Sequence, residues 1–319
     1  MRDVNSKGVS YFGQFGTLMG LTGGGLIIGT LLVWVVWLMM TGHSVPTNAD
    51  EMLQPKYYNE IMVVQVIQTF FMFFIPVWLF SVICYHNPGK FMGFNLRFNY
   101  KQVLIVIGIL AFTFPLSASL GELNKIIPIP VKWSTYFKLQ ETSREAQESA
   151  LIQLNSFPKY ILSLVVIAFL PALFEETYFR AGLQNIFTRW FKGPWVAIIV
   201  TSIIFSAIHL SYYGFLVRFA LGMLLGIIYY YGGSLWLNVL LHFLFNGVQL
   251  TALYIYNHSH PAVNAKDIDP GFSCWWGVIS LVIITWLVLR FTKLSRLQLA
   301  KYPAEEVPKD DFENWVGNL

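Results

Sequence analysis

Glu175, Glu176, Arg180, His209, His242 and Asn246 lie within or beside strongly apolar segments, in the runs EETYFR (175–180), FSAIH (205–209) and HFLFN (242–246). An ionisable side chain at bilayer depth costs about 2.5–3.5 kcal/mol on insertion scales, so such groups usually face a polar interior and usually serve a function. Two carboxyls, two imidazoles and an amide are also the groups needed to activate a water and to stabilise an oxyanion. The combination points to hydrolysis in a site buried within a membrane.

Glu175 and Glu176 are consecutive, so on a helix they point about 100° apart and cannot serve one ligand equally. Arg180 follows Glu176 by four residues, the favourable order for an acid–base pair along one helix face. That pairing holds Glu176 ionised in a supporting role with Arg180 and leaves Glu175 free to take a proton. The bland reading of the same residues is a structural polar network between helices. His242 and Asn246 are spaced i, i+4 and share a helix face, which Asn238 extends one turn back. A single buried His in a membrane helix is often only an interhelical hydrogen-bonding partner; polar groups on three separate helices favour one shared cavity.

The elements that must position these groups follow from composition. The chain has 319 residues, is 55% hydrophobic and only 12% charged, with mean hydropathy +0.55. A soluble chain carries about 25% charged residues. The expected fold class is therefore all-α, a polytopic membrane helical bundle of about eight transmembrane helices. Segments of the required length of about 20 residues are 17–40, 61–85, 102–121, 158–181, 194–212, 214–231, 235–256 and 273–292. The net charge of +4 is too small and too dispersed for nucleic acid. Cys84 and Cys274 offer no metal spacing or disulfide framework and are expected to pack. The polar stretch 1–15 leads into a full-length apolar run with no signal-peptide pattern.

Lys and Arg gather on one side of this scheme (Lys7, Lys90, Arg97, Lys101, Arg189, Lys192, Lys293, Arg296), which places both termini in the cytoplasm. The expected organisation is a membrane domain over 1–292, with its core at about 158–256, and a cytoplasmic tail over 293–319. The connection 122–157 is too polar to span. Thr142 and Glu145 resemble a capping box, followed by Ala146, Ala150, Leu151 and Leu154 at helical spacing, so a short amphipathic helix is expected near the non-cytoplasmic face. Gly23, Gly24 and Gly25 read as a close-packing face. If the fourth span continues to Trp190, Glu175 and His209 both lie about 22 Å from the cytoplasmic end at 1.5 Å per residue. His242 and Asn246 lie shallower unless their helix is tilted or starts deep.

The ordered set EETYFR, GPWVAIIVTSIIFSAIH and SLWLNVLLHFLFN resembles the three-motif signature of the CPBP family, the CAAX prenyl endopeptidase type II and bacteriocin-processing (Abi) membrane proteases. Gly222 and Gly226 in GxxxG spacing and the turn Tyr231–Ser234 also look like family features. The resemblance implies an intramembrane endopeptidase in which Glu175 activates the attacking water, His209 assists, and His242 with Asn246 stabilises the oxyanion.

Metal use is the main mechanistic fork. Glu175, His209 and His242 could form a His₂Glu zinc site with an open position. HExxH is absent, however, and the ligands would come from three separate helices, so a metal-independent glutamate mechanism without cofactor is favoured over zinc. The expected partners are membrane lipid and a protein or peptide substrate, and the expected location is a bacterial cytoplasmic (inner) membrane. A non-catalytic scaffold or immunity protein is the alternative from another class. A secondary transporter is disfavoured because internal repeats and paired broken helices are missing. Arg218 is expected to snorkel to the interface, although it could also meet a substrate carboxylate. His43, His86, His258 and His260 fall in loops without assigned chemistry.

Overall fold

A computed structural model describes residues 6–46, 49–259 and 274–301. Its long helices are α1 (Tyr11–Thr41), α2 (Pro55–Cys84), α3 (Tyr100–Ile126), α4 (Val131–Leu151), α5 (Phe157–Trp190), α6 (Pro194–Ala207), α7 (Phe215–Gly232), α8 (Leu235–Ser259) and α9 (Cys274–Leu299). No β-strand occurs among the described residues. All but α4 and α6 are long and apolar enough to cross a membrane, which makes seven. The eighth expected span, 194–212, forms helix only over the 14 residues of α6, roughly 21 Å at 1.5 Å per residue. The chain turns just beyond it at Leu210, where φ is 50°, a left-handed conformation that ends a helix.

Two apolar clusters organise the bundle. One joins α1, α2, α5 and α6 through Leu18, Val77, Phe80, Phe179 and Phe205. The other joins α3, α7 and α9 through Val106, Ile109, Leu225 and Phe291. Helix α8 lies between them: Leu235 and Val239 belong to the first cluster, and Leu237, Leu241 and Phe245 to the second. Burial of both flanks fixes the rotation of α8 and so the direction of its polar side chains. The α7–α8 turn sits beneath the linker at 93–95, where Leu235 N–H donates to Gly93 O at 3.0 Å, Asn95 Nδ2 to Gly233 O at 2.8 Å and Ser234 Oγ to Asn95 O at 2.6 Å. These bonds fix the start of α8, and His242, expected to lie shallower, meets both glutamates of α5.

Helices α2 and α5 widen to π-helix just before a proline, at Phe70–Phe74 before Pro76 and at Leu164–Phe169 before Pro171, whereas α3 carries Pro115 as regular α-helix. Proline removes a backbone N–H and crowds the carbonyl four residues earlier, here Met72 and Ile167, and a wider turn relieves both. The first of these π segments receives α1. Of Gly23, Gly24 and Gly25, only Gly25 makes the close approach expected of the run, because a Cβ there would collide with the Phe71 carbonyl oxygen, while Gly23 and Gly24 face open space.

Helix α4 begins after Pro130, eleven residues before Thr142, so the capping-box reading is corrected. Thr142 lies mid-helix and donates to the Lys138 carbonyl at 3.1 Å, the back-bonding that interior Thr uses in place of a cap. Helix α4 packs across the loop that follows α6: Ser211 Oγ donates to Glu141 Oε2 at 2.7 Å, and Phe137 stacks on Tyr212 with ring centroids 4.9 Å apart. Helix α9 continues to Leu299, so the expected tail starts as helix; residues 302–319 and His260 lie outside the described residues. His258, expected in a loop, occupies the last turn of α8.

Two outcomes test this packing. Gly25→Ala should destabilise the protein by about 1–3 kcal/mol through overpacking, read as a lower Tm in detergent, whereas Gly24→Ala should be neutral or stabilising by about 0.5–1 kcal/mol. Burial works to raise the pKa of Glu141, but hydrogen bonds from Arg144 and Ser211 hold its carboxyl below the ordinary range. Docking of α4 is therefore fully supported at neutral pH and weakens as pH falls below that range. Hydrogen exchange over 131–151 should accelerate on acidification, and Glu141→Gln should remove that dependence.

Candidate active site

Helix α5 presents both glutamates from the end of a regular α segment, Leu170–Glu176, bounded by π segments at Leu164–Phe169 and Thr177–Gln184. A π-turn shifts the angular phase of every residue after it. The widened turn carries Arg180 and Gln184 inward, and Thr177 to Gln184 are all buried.

Glu176 is fully buried and is held by three side chains. Arg180 Nε donates to its Oε2 at 3.0 Å, Asn238 Nδ2 approaches the same oxygen at 3.4 Å, and His242 Nδ1 meets Oε1 at 3.0 Å. A buried carboxylate is tolerated only with such compensation. Arg180 in turn donates from Nη1 to Gln184 Oε1 at 3.3 Å, and Gln184 Nε2 donates to the Gly226 carbonyl at 2.9 Å. Gly226 permits this approach: a Cβ there would lie 3.0 Å from Gln184 Oε1 and 2.8 Å from Ile198 Cγ2. The GxxxG spacing in α7 thus packs against neighbouring helices of the same chain.

Glu175 stands apart. It is 13% exposed and accepts no hydrogen bond among the described residues, and its Oε2 lies 3.9 Å from His242 Nε2. The two carboxyls therefore flank one imidazole, with Glu176 within hydrogen-bond reach of Nδ1 and Glu175 beyond it from Nε2. Because the Nδ1 edge is occupied by Glu176, Nε2 is the ring atom directed toward Glu175.

His209 lies two residues beyond α6. Its Nδ1 meets the Phe205 carbonyl at 2.8 Å, which commits that nitrogen as the donor and leaves Nε2 as the free edge. Phe205 is the hub that sequence reading missed: its ring meets His209 at 5.2 Å and His242 at 6.0 Å, both edge-on, and the Arg180 guanidinium lies 5.5 Å from its centroid. Its position four residues before His209 was the available signal. Gln184 was also missed, although Glu176, Arg180 and Gln184 form an i, i+4, i+8 series. Asn238 holds Glu176, while Asn246, one turn beyond His242, is half-buried and makes no hydrogen bond among the described residues. The structure therefore joins Glu175, Glu176, Arg180, Asn238 and His242 directly and brings His209 to them through Phe205; Asn246 it leaves uncommitted.

Among the described residues, no group of three His, Cys, Asp or Glu side chains is arranged to hold a metal ion. The expected alternative ligand trio of Glu175, His209 and His242 is not found as such a group, although His242 Nε2 faces Glu175 across 3.9 Å while Nδ1 meets Glu176.

The sequence model of the type II CAAX prenyl endopeptidase Rce1-like family matches residues 157–248, a segment containing all six polar residues of the three motifs. An Escherichia coli relative, the "Uncharacterized 24.3 kDa protein", is 36% identical over 92 residues, which is 28% of this chain and 42% of that protein. The chain thus covers less than half the length of that relative. No solved structure matches.

Removing Arg180 alone should strand a buried carboxylate. Arg180→Ala should destabilise the protein by about 3–5 kcal/mol, and the double variant Glu176→Ala/Arg180→Ala should lose less than the sum of the two single changes. Denaturation in detergent micelles reads both; strict additivity would mean that the pair is not coupled.

Proposed function

We propose that this integral membrane protein is an intramembrane endopeptidase that hydrolyses peptide bonds of membrane-associated or lipidated, CAAX-like, protein or peptide substrates. Seven span-length apolar helices and the match to a membrane endopeptidase family support the setting. The observation that carries the reading is the unequal treatment of two adjacent carboxyls. Glu176 is committed to Arg180, Asn238 and His242, whereas Glu175 has no hydrogen bond and faces the Nε2 edge of the same imidazole.

Glu175 is the general base that takes a proton from a water as that water attacks the scissile carbonyl, and it returns the proton to the leaving amine as the C–N bond breaks. Its carboxyl is positioned by a helix rather than a loop, and the neighbouring Glu176 keeps the site's fixed charge paired. His242, whose Nδ1–H donates to Glu176, directs Nε2 at the reacting centre, where as an imidazolium it would donate to the developing oxyanion. His209, fixed through Nδ1 by the Phe205 carbonyl, assists through its free Nε2. Asn246 supplies an amide donor with no competing partner. Zinc is not part of this scheme.

Lys7, Lys90, Arg97, Arg189 and Arg296 cluster toward the end of the bundle where α1 begins and α9 finishes. We place that end in the cytoplasm of a bacterial inner membrane.

Purified protein in detergent is assayed against membrane-anchored peptides alongside Glu175→Gln. General-base loss should reduce turnover by about 10²–10⁴-fold with Tm unchanged. Full cleavage by a folded Glu175→Gln protein would make the cluster a packing network and favour the scaffold reading. Activity lost in strong chelator and restored by zinc would replace the glutamate scheme with a metal one.

A further inference from the structure

Two arginines inside the expected spans, Arg218 and Arg290, meet opposite surroundings. Arg218, expected to snorkel, is half-buried over Gly214 and faces Glu141 and Glu148, two carboxyls shared with the single Arg144. Arg290 has no such balance. Trp286, Arg290, Lys293 and Leu297, spaced four, three and four residues apart, form one stripe on the exposed side of α9. Neither the Arg290 nor the Lys293 side chain has an ion pair or hydrogen bond among the described residues. Across α3, α7 and α9 the only carboxyl side chain is Glu122, which pairs with Lys125 at the opposite end of α3.

The depth of Arg290 follows from the packing of α9 on α3. These helices run antiparallel in a register set by Gln102 Nε2, which donates to Ser295 Oγ at 2.9 Å, and by Gly108 against Leu287. Arg290 falls between those two levels, about 8 Å inside the start of α3 at 1.5 Å per residue. Its exposed neighbours there, Leu104 and Leu289, are apolar. Side chains on a helix lean toward its N-terminus, which for α9 is the far side of the bilayer. The Arg290 guanidinium accordingly lies 5.4 Å from the ring centroid of Trp286, one turn deeper. A cation held by that ring does not reach back to the nearer interface. Bare against hydrocarbon it is costly, and an anion drawn to it removes the cost.

We propose that the exposed stripe of α9 is a binding site for an anionic phospholipid, whose phosphate sits between Arg290 and Lys293. The guanidinium, oriented by Trp286, offers paired N–H groups to phosphate oxygens, and the ammonium one turn on adds a second positive charge. Val282 and Leu289, both exposed, give the acyl chains an apolar surface beside it. Two cations on a face without a carboxylate select an anionic headgroup over a zwitterionic one. Helix α9 carries none of the residues assigned to hydrolysis, so this site stands or falls apart from the endopeptidase reading.

The full chain in detergent at low salt is titrated with phosphatidylglycerol and with phosphatidylcholine of the same acyl chains, and native mass spectrometry counts bound lipid. The first phosphatidylglycerol should bind about 25-fold more tightly than phosphatidylcholine. Arg290→Gln and Lys293→Gln should each lower that ratio about fivefold, and the double variant should abolish it. Lys125→Gln, which removes an exposed cation at the other end of α3, should leave it unchanged. Unchanged Tm values in phosphatidylcholine show that the variants fold. A wild-type ratio near one, or an equal loss in Lys125→Gln, overturns the proposal. The five acids of 302–319 are the competing source of negative charge. A preference that appears only when they are replaced by amides makes that segment the occupant and overturns it. Displacement of phosphatidylglycerol by inorganic phosphate, beyond that by chloride at equal ionic strength, assigns the cations to a soluble anion and overturns it too.

Discussion

The Glu176 carboxylate, fully buried between α5 and α8, is the charge around which the centre of this bundle is arranged. Leaving it without partners in an apolar interior would be prohibitive, so Arg180, Asn238 and His242 must all reach it. Each donor constrains its own helix. Arg180 requires the widened turn of α5, Asn238 and His242 require one rotation of α8, and Asn238 also donates to the Leu225 carbonyl at 2.6 Å, which draws in α7. One ionised group thereby couples three helices from two separate apolar clusters.

The adjacent Glu175 is left without a hydrogen bond among the described residues because the donors are spent on Glu176. Adjacent residues on a helix diverge in direction, so the donors that satisfy Glu176 cannot also satisfy Glu175. The imidazole of His242 spans the difference, with one nitrogen on the structural carboxyl and the other facing the free one. Phe205 contacts both imidazoles and the Arg180 guanidinium, which ties them to one buried ring. The result is a preorganised group of side chains on helix ends and interiors, the condition under which oriented dipoles act most strongly.

Backbone irregularities do much of the positioning. The π segment of α2 before Pro76 receives Gly25 against Phe71, and the second π segment of α5, Thr177–Gln184, receives Gly226 against Gln184. Close approach of small residues is how membrane helices gain contact where the hydrophobic effect is weak. The linker at 93–95, which covers the α7–α8 turn, plays a comparable part by fixing the start of α8 through three hydrogen bonds.

Much of the fold and site could be read along the chain. Apolar runs longer than a bilayer core disclose a helical membrane bundle, and the i, i+4 steps from Glu176 to Arg180 and from His242 to Asn246 place those residues on shared faces, because helix periodicity is a local property. Local rules also misled: Thr142 mimics a cap but sits inside α4, since nothing in four residues reports that Pro130 already starts the helix. Depth, rotation and partnership were decided only in three dimensions. Which glutamate is held and which left free, and that Phe205 joins His242 to His209, depend on contacts between residues distant in sequence. Sequence sets which groups carry charge and where helices can form; packing sets which of those charges meet a partner.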